Sequence, residues 1–226
     1  MSNNKGVVVV TGSSGGIGEA ICKKFLSEGF EVHGIDVVTP STELLHDLNF
    51  YSHINDIRNS NDLPDIDKVE YLINCAGTQN SYDDIGNNLI GLMNTTEKYG
   101  LQYWIKSIVN MASVSAHNGC EFPKYVASKG GVLAYTIWTA KEIATYENHP
   151  TCNSLSFGGV LTALNSEVIC DKEKFNKIMD MTPLRKWATA EECAEWTYFI
   201  SVVNKSMSGQ DIIIDNMETR NNQFVW

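Results

Sequence analysis

The run Val7-Val-Val-Val-Thr-Gly-Ser-Ser-Gly-Gly-Ile-Gly18 constrains the fold more than any other stretch of this chain. Four β-branched residues predict a buried strand. A glycine-rich turn follows, and Glu19 to Leu26 then read as a helix. A strand that passes through such a turn into a helix presents backbone N–H groups and a positive dipole end to an anion, commonly a pyrophosphate. The glycines stand at 12, 16 and 18, a G-x-x-x-G-x-G spacing rather than the commoner G-x-G-x-x-G. Gly12 suits a tight turn, Gly16 lets the backbone approach phosphates, and Gly18 lets helix and strand pack closely. Glycines also punctuate ordinary strand–helix turns, so a second feature carries weight. Phe30-Glu-Val-His-Gly-Ile-Asp36 reads as the next strand and ends in an acid about twenty residues past the turn, where a carboxylate binds an adenosine ribose. Asp36 would repel a 2′-phosphate, and no Arg or Lys stands at Ser13, Ser14 or just after Asp36 to neutralise one. NAD(H) is expected over NADP(H). The plainer alternative is an acid that merely ends a strand.

Apolar strands alternate with helical patterns along the whole chain, as in a parallel sheet with helices on both faces. Strands are expected near 6–11, 30–36, 50–54, 69–74, 105–111, 152–156 and 210–214. Helices are expected over 17–28, 82–99, 124–147 and 190–203, with weaker turns near 41–47 and 59–64. The expected architecture is α/β, a Rossmann-like doubly wound sheet of about seven strands, with residues 1–226 as one domain. The segment 161–188 follows a strand's carboxyl end and reads as a lid over a ligand, or as a helical connection packed on the body.

A net charge of −10 argues against nucleic-acid and anionic-membrane partners. No apolar run approaches the roughly 20 residues of a membrane span. A strand beginning almost at Met1 leaves no room for a signal peptide, so a cytoplasmic location is expected. The six cysteines and five histidines show no metal-ligand spacing, so no metal is expected. Cysteines within predicted elements read as small buried hydrophobes in a reducing compartment.

Tyr125-Val-Ala-Ser-Lys129 lies in a helical segment, which places both side chains on one face about a turn apart. Such pairs are common on surface helices. Here, however, Ser113 ends a buried strand twelve residues upstream, Asn74-Cys-Ala-Gly77 closes another, and Phe157-Gly158 with Thr162 closes a third. All converge with the glycine turn on the ligand-binding edge of a doubly wound sheet.

In these motifs the chain resembles the short-chain dehydrogenases/reductases, from Val7 to Asp215. Thr11-Gly-Ser-Ser-Gly-Gly-Ile-Gly18 is similar to their T-G-x-x-x-G-x-G turn, and Asn74-Cys-Ala-Gly77 to their N-N-A-G element. Ser113, Tyr125 and Lys129 resemble the catalytic Ser and Y-x-x-x-K, and Asn88 the helix asparagine, with Asn87 as its competitor. The resemblance implies an NAD-dependent alcohol dehydrogenase or ketone reductase for a small molecule. The dinucleotide would lie against Gly12, Ser14, Gly16, Ile17, Gly18, Asp36, Asp56, Ile57, Asn74, Ala76, Gly77, Tyr125, Lys129, Gly158, Val160 and Thr162. Tyr125 would exchange the substrate's proton, its pKa of about 10 lowered by Lys129 and the positive nicotinamide. Ser113 would hold the substrate oxygen, Lys129 the nicotinamide ribose, and Asn88 a water linking Lys129 to solvent. A homodimer or homotetramer is implied through the helix of Tyr125 and its neighbour near 82–99.

The family's P-G is Phe157-Gly158 here, the segments before Asn74 and Asn88 are short, and the tail 216–226 has no counterpart. Two other readings share the dinucleotide turn. One is a nucleotide-sugar epimerase or dehydratase, which needs a longer carboxyl-terminal domain; the other is a sensor that binds without turnover. Arg185 and Lys186 are candidates to meet an anionic substrate group, or solvated surface charges.

Overall fold

A computed structural model describes residues 4–220 of the chain. Seven parallel strands form one sheet: β1 (Val7–Thr11), β2 (Glu31–Asp36), β3 (Phe50–Ile54), β4 (Val69–Asn74), β5 (Ser107–Met111), β6 (Thr151–Phe157) and β7 (Asp211–Ile214). Their order is β3-β2-β1-β4-β5-β6-β7, so the winding reverses between β1 and β4 and opens a crevice at the strands' carboxyl ends. All seven expected strands are present. The valines of β1 alternate between layers, as strand geometry requires: Val8 and Val10 join one core, Val9 the other.

The first core is closed by α1 (Gly16–Ser27) and by α8 (Ala190–Tyr198), whose Ile21, Cys22, Phe25, Cys193 and Ala194 are buried in it. The short crossovers are α2 (Thr42–Leu45) and a 3₁₀ turn at Ser60–Asp62, where the weaker turns near 41–47 and 59–64 are expected. On the opposite face a helical stretch 84–100 is α-helical at 84–85 and at α3 (Gly91–Thr95), with π-helical turns at Gly86–Ile90 and Thr96–Gly100. It starts later than residue 82 because Asp83 Oδ1 accepts from the Gly86 amide at 3.0 Å, ending the preceding loop. A short α4 (Ser115–Asn118) precedes α5 (Pro123–Ile143). The latter stops before residue 147, since the Tyr146 hydroxyl and Asn148 amide are drawn off-axis to the carbonyls of Leu101 and Ile105.

The segment 161–188 holds α6 (Ser166–Cys170) and α7 (Lys172–Met181), neither with a buried residue. It is anchored by Trp187, buried edge-on against Phe175 at 5.3 Å. Cys22, Cys152 and Cys193 are buried as expected, but Cys120 and Cys170 are exposed, because they lie on a loop and on α6 rather than in the core. In the tail Glu218–Arg220 form a 3₁₀ turn, with Glu218 bonded to the Gly159 amide, and 221–226 lie outside the described residues. Among the described residues no helix is long and apolar enough to cross a membrane, and no group of three or more potential ligands could hold a metal.

Candidate active site

The glycine turn is closed by backbone approach rather than by side chains. Gly12 has φ +69°, and a Cβ there would stand 2.7 Å from the Ala76 Cα. A Cβ at Gly18 would overlap the Gly12 carbonyl, and one at Gly16 would stand 2.9 Å from Thr162 Cγ2. Thr11 Oγ1 accepts from the amides of Cys75 and Ala76, both at 3.1 Å, which ties the end of β1 to the loop after β4. Helix α1 has Gly15 as its N-cap and no side-chain cap, so the first amides of its dipole lack a protein side-chain acceptor. That is the condition for holding a phosphate group. Ile17 packs against the first core and fixes the helix start.

Asp36 accepts from the Ser14 amide at 2.9 Å and the Val38 amide at 3.0 Å, while Ser14 Oγ donates to the Val38 carbonyl at 2.7 Å. The carboxylate is thereby aimed beside the glycine turn, where ribose hydroxyls would find it. Asp56 is paired with Arg58, whose guanidinium holds the carboxyl below its ordinary range. Ile57 beside it is buried under Gly91. The Asn74 side chain is sealed in a buried network with Thr95, Thr96 and Asn110 and makes no hydrogen bond to the glycine turn. It links β4, β5 and the 84–100 stretch instead.

Ser113, Tyr125 and Lys129 come together at the carboxyl end of β5. Ser113 lies close enough to the Tyr125 hydroxyl to stabilise its phenolate, yet burial dominates and pushes that phenol up to about 12; Glu121 and Asp84 push the same way. Lys129 is buried and burial lowers its ammonium to about 8. Its Nζ donates to the Met111 carbonyl at 2.7 Å and stands 5.7 Å from the centre of the Tyr125 ring. Desolvation thus sets the direction for Tyr125 in the protein alone, before a bound nicotinamide adds its charge.

Between the competing asparagines, Asn88 is the buried one. Its Oδ1 accepts from the Thr78 amide at 2.7 Å, and its Nδ2 donates to the Thr78 carbonyl and to Ser128 Oγ. A Cβ on Gly77 would stand 3.1 Å from Asn88 Oδ1 and 3.6 Å from Lys129 Nζ, so Gly77 lets these groups approach the loop. The π-helical turn at Gly86–Ile90 swings Asn88 inward, while Asn87 reaches Thr78 Oγ1 from a half-buried position. Past β6, Val160 bridges to Ala188 and Thr162 donates its amide to the Val160 carbonyl. A Cβ on Gly158 would stand 2.5 Å from Glu218 Oε2, which accepts from the Gly159 amide at 3.0 Å. Sequence reasoning missed Glu121 and Glu218, which carry no motif.

Fold and glycine turn together define a nucleotide-binding fold of Rossmann type. The short-chain dehydrogenase profile matches residues 6–173. The 3-oxoacyl-[acyl-carrier-protein] reductase FabG of Chlamydia pneumoniae is 30% identical over 239 aligned positions, covering 92% of this chain and 94% of its own length. A solved 4-hydroxyisoleucine dehydrogenase complexed with NADH superposes with TM-score 0.84 at 26% identity, covering 96% of this chain and 99% of its own. An Agrobacterium tumefaciens protein solved with bound NADP gives TM-score 0.86 at 23% identity, covering 97% and 98%. The chain belongs to the short-chain dehydrogenase family. It is thus an oxidoreductase of CH–OH groups.

Proposed function

We propose that the chain interconverts a secondary alcohol and a ketone, with NAD(H) preferred and Tyr125 as the acid and base. The observation that carries this reading is the meeting of Ser113, Tyr125 and Lys129 at the end of β5, across the crevice from a carboxylate-lined glycine turn. When bound, the nicotinamide supplies the hydride acceptor and a positive charge beside the phenol. Gly12, Gly16, Gly18 and the uncapped amides of α1 hold the pyrophosphate, and Asp36 the adenosine ribose. Lys129 binds the nicotinamide ribose and raises the local positive charge; Thr162, beside Gly16, orients the carboxamide. Ser113 holds the substrate oxygen while Tyr125 takes or returns its proton. The preference for NAD(H) rests on Asp36 and on the absence of a cation at residues 37 and 38.

Arg185 is engaged by Asp180 at 2.9 Å and Lys186 by Glu192, which weakens the case for an anionic substrate. A panel of neutral and charged secondary alcohols, followed by NADH absorbance, tests the reading. Tyr125→Phe should lower turnover by about 10²-fold or more while NADH affinity stays near native. NADH binding without turnover across the panel would support a sensor instead. We further read residues 1–226 as one cytoplasmic domain that forms a homodimer or homotetramer. The stacked pair Tyr135 and Trp138, 5.2 Å apart on α5, leaves Trp138 half exposed and supports pairing through that helix. Sedimentation at micromolar protein should give a species larger than 25.1 kDa.

A further inference from the structure

The loop after β6 is clamped at Gly159 from three directions. The Gly159 carbonyl accepts from the Ala188 amide at 3.1 Å, at the far end of the 161–188 segment. Its Cα lies so close to the Trp187 indole that a Cβ would overlap Nε1 and Cε2. Among the described residues that Nε1 has no hydrogen-bond partner, so Trp187 holds the loop by shape alone. The third hold comes from the tail, where Glu218 Oε2 accepts from the Gly159 amide at 3.0 Å. A strained turn delivers that carboxylate. Asn216 and Met217 sit at φ +52° and +70°, and a left-handed methionine persists only where its surroundings enforce it. Asp215, buried just past β7, does so. Its Oδ1 accepts from the Met217 amide at 3.0 Å, and its Oδ2 from the Thr219 amide at 2.7 Å and hydroxyl at 2.6 Å. The turn so fixed carries Glu218 over Gly158, where only a glycine leaves the carboxylate room. Burial raises the Glu218 carboxyl above its ordinary range, and Asp215 and Glu121 push the same way; the Gly159 amide acts against them.

We propose that Glu218 is a positioning residue for the nicotinamide end of the dinucleotide, acting through the Gly159 amide. The inference rests on the reading that residues 158–162 meet that end, with Thr162 orienting the carboxamide. Two consecutive glycines stand just before Val160 and Thr162, and glycine loses more freedom on being fixed than any other residue. With Phe157 in place of the family's proline, no ring restricts the backbone ahead of them. Bonds from outside the loop must supply the stiffness. With Glu218 on the amide and Ala188 on the carbonyl, Gly159 is held on both sides before any ligand arrives. Less ordering is then due when the nicotinamide binds. The adenosine half is held elsewhere: Asp36 is fixed by the Ser14 and Val38 amides, which share no bond with Glu218. Loss of Glu218 is therefore felt at the nicotinamide half and not at the adenosine half.

The test compares NADH with ADP-ribose by calorimetric titration of the full chain. ADP-ribose carries both phosphates and both riboses but no nicotinamide. In the native protein NADH binds more tightly, and the ratio of the two affinities measures the grip on the nicotinamide. Glu218→Ala weakens NADH by about tenfold and leaves ADP-ribose within about twofold of native. Glu218→Asp keeps the charge but falls one methylene short of the Gly159 amide, and NADH weakens by about fivefold or more. Glu218→Gln keeps a neutral acceptor for that amide and holds NADH within about threefold of native. A merely structural role would weaken both ligands alike and would not be rescued by glutamine. NADH affinity unchanged in both Glu218→Ala and Glu218→Asp, ADP-ribose lost in step with NADH in both, or a glutamine variant as weak as alanine overturns the proposal. A native protein that binds the two ligands equally, or binds neither, overturns the nicotinamide reading of residues 158–162 first, and this one with it. The titration needs no turnover, so it decides the role of Glu218 independently of which alcohol is oxidised.

Discussion

Lys129 should be a stability liability that its site requires. Its ammonium is buried, with one hydrogen bond to the Met111 carbonyl, and lowered from the ordinary 10.5 to about 8. At about 1.36 kcal/mol per pH unit, that gap corresponds to a penalty of about 3 kcal/mol for keeping the charge folded at neutral pH. Lys129→Met keeps the aliphatic volume and removes the charge. It also removes the bond to Met111, worth about 1 kcal/mol, so the variant should be more stable by about 2 kcal/mol at pH 7. The unfolded chain binds the extra proton between pH 8 and 10.5, so native stability from this group rises as pH increases through that window. The gain of Lys129→Met should therefore shrink toward pH 10.5. Urea unfolding of both proteins without cofactor, at one fixed protein concentration and at several pH values from 7 to 10.5, measures the difference directly. A variant no more stable than native at pH 7, or a difference that does not change with pH, would refute the reasoning.

Asp36→Ala removes the acceptor for the Ser14 and Val38 amides; NADH affinity should fall by about tenfold and discrimination against NADPH should relax, as read by calorimetric titration. An unchanged preference would place the discriminating group elsewhere. Gly18→Ala forces a methyl against the Gly12 carbonyl, 2.7 Å from its carbon, and should cost about 1–3 kcal/mol together with NADH binding. Gly130→Ala, a helical site with nothing within 4 Å of the added methyl, should be neutral or stabilising by up to about 1 kcal/mol in the same urea unfolding.

The alternation of strands and helices, the glycine turn, Asp36 and the Tyr125–Lys129 spacing were all legible in the chain, because each is a local pattern. β1 announces itself through four consecutive β-branched residues, and α5 begins at Pro123 as helix starts often do. The early end of α5 was not legible, since it depends on Tyr146 and Asn148 finding carbonyls more than forty residues away. Nor was the burial of the Asn74 side chain, whose partners come from β5 and from the 84–100 stretch.

What the sequence by itself determined was therefore the family of the fold and the identity of the groups at its crevice, since a strand's period of two, a helix's i, i+4 face and a glycine's freedom act within a few residues. Tertiary structure decided which asparagine turns inward, why Tyr125 stands high and Lys129 low, and that Glu218 is joined to the Gly159 amide. Those outcomes depend on desolvation and on hydrogen bonds between segments distant in the chain, and only packing brings such segments together.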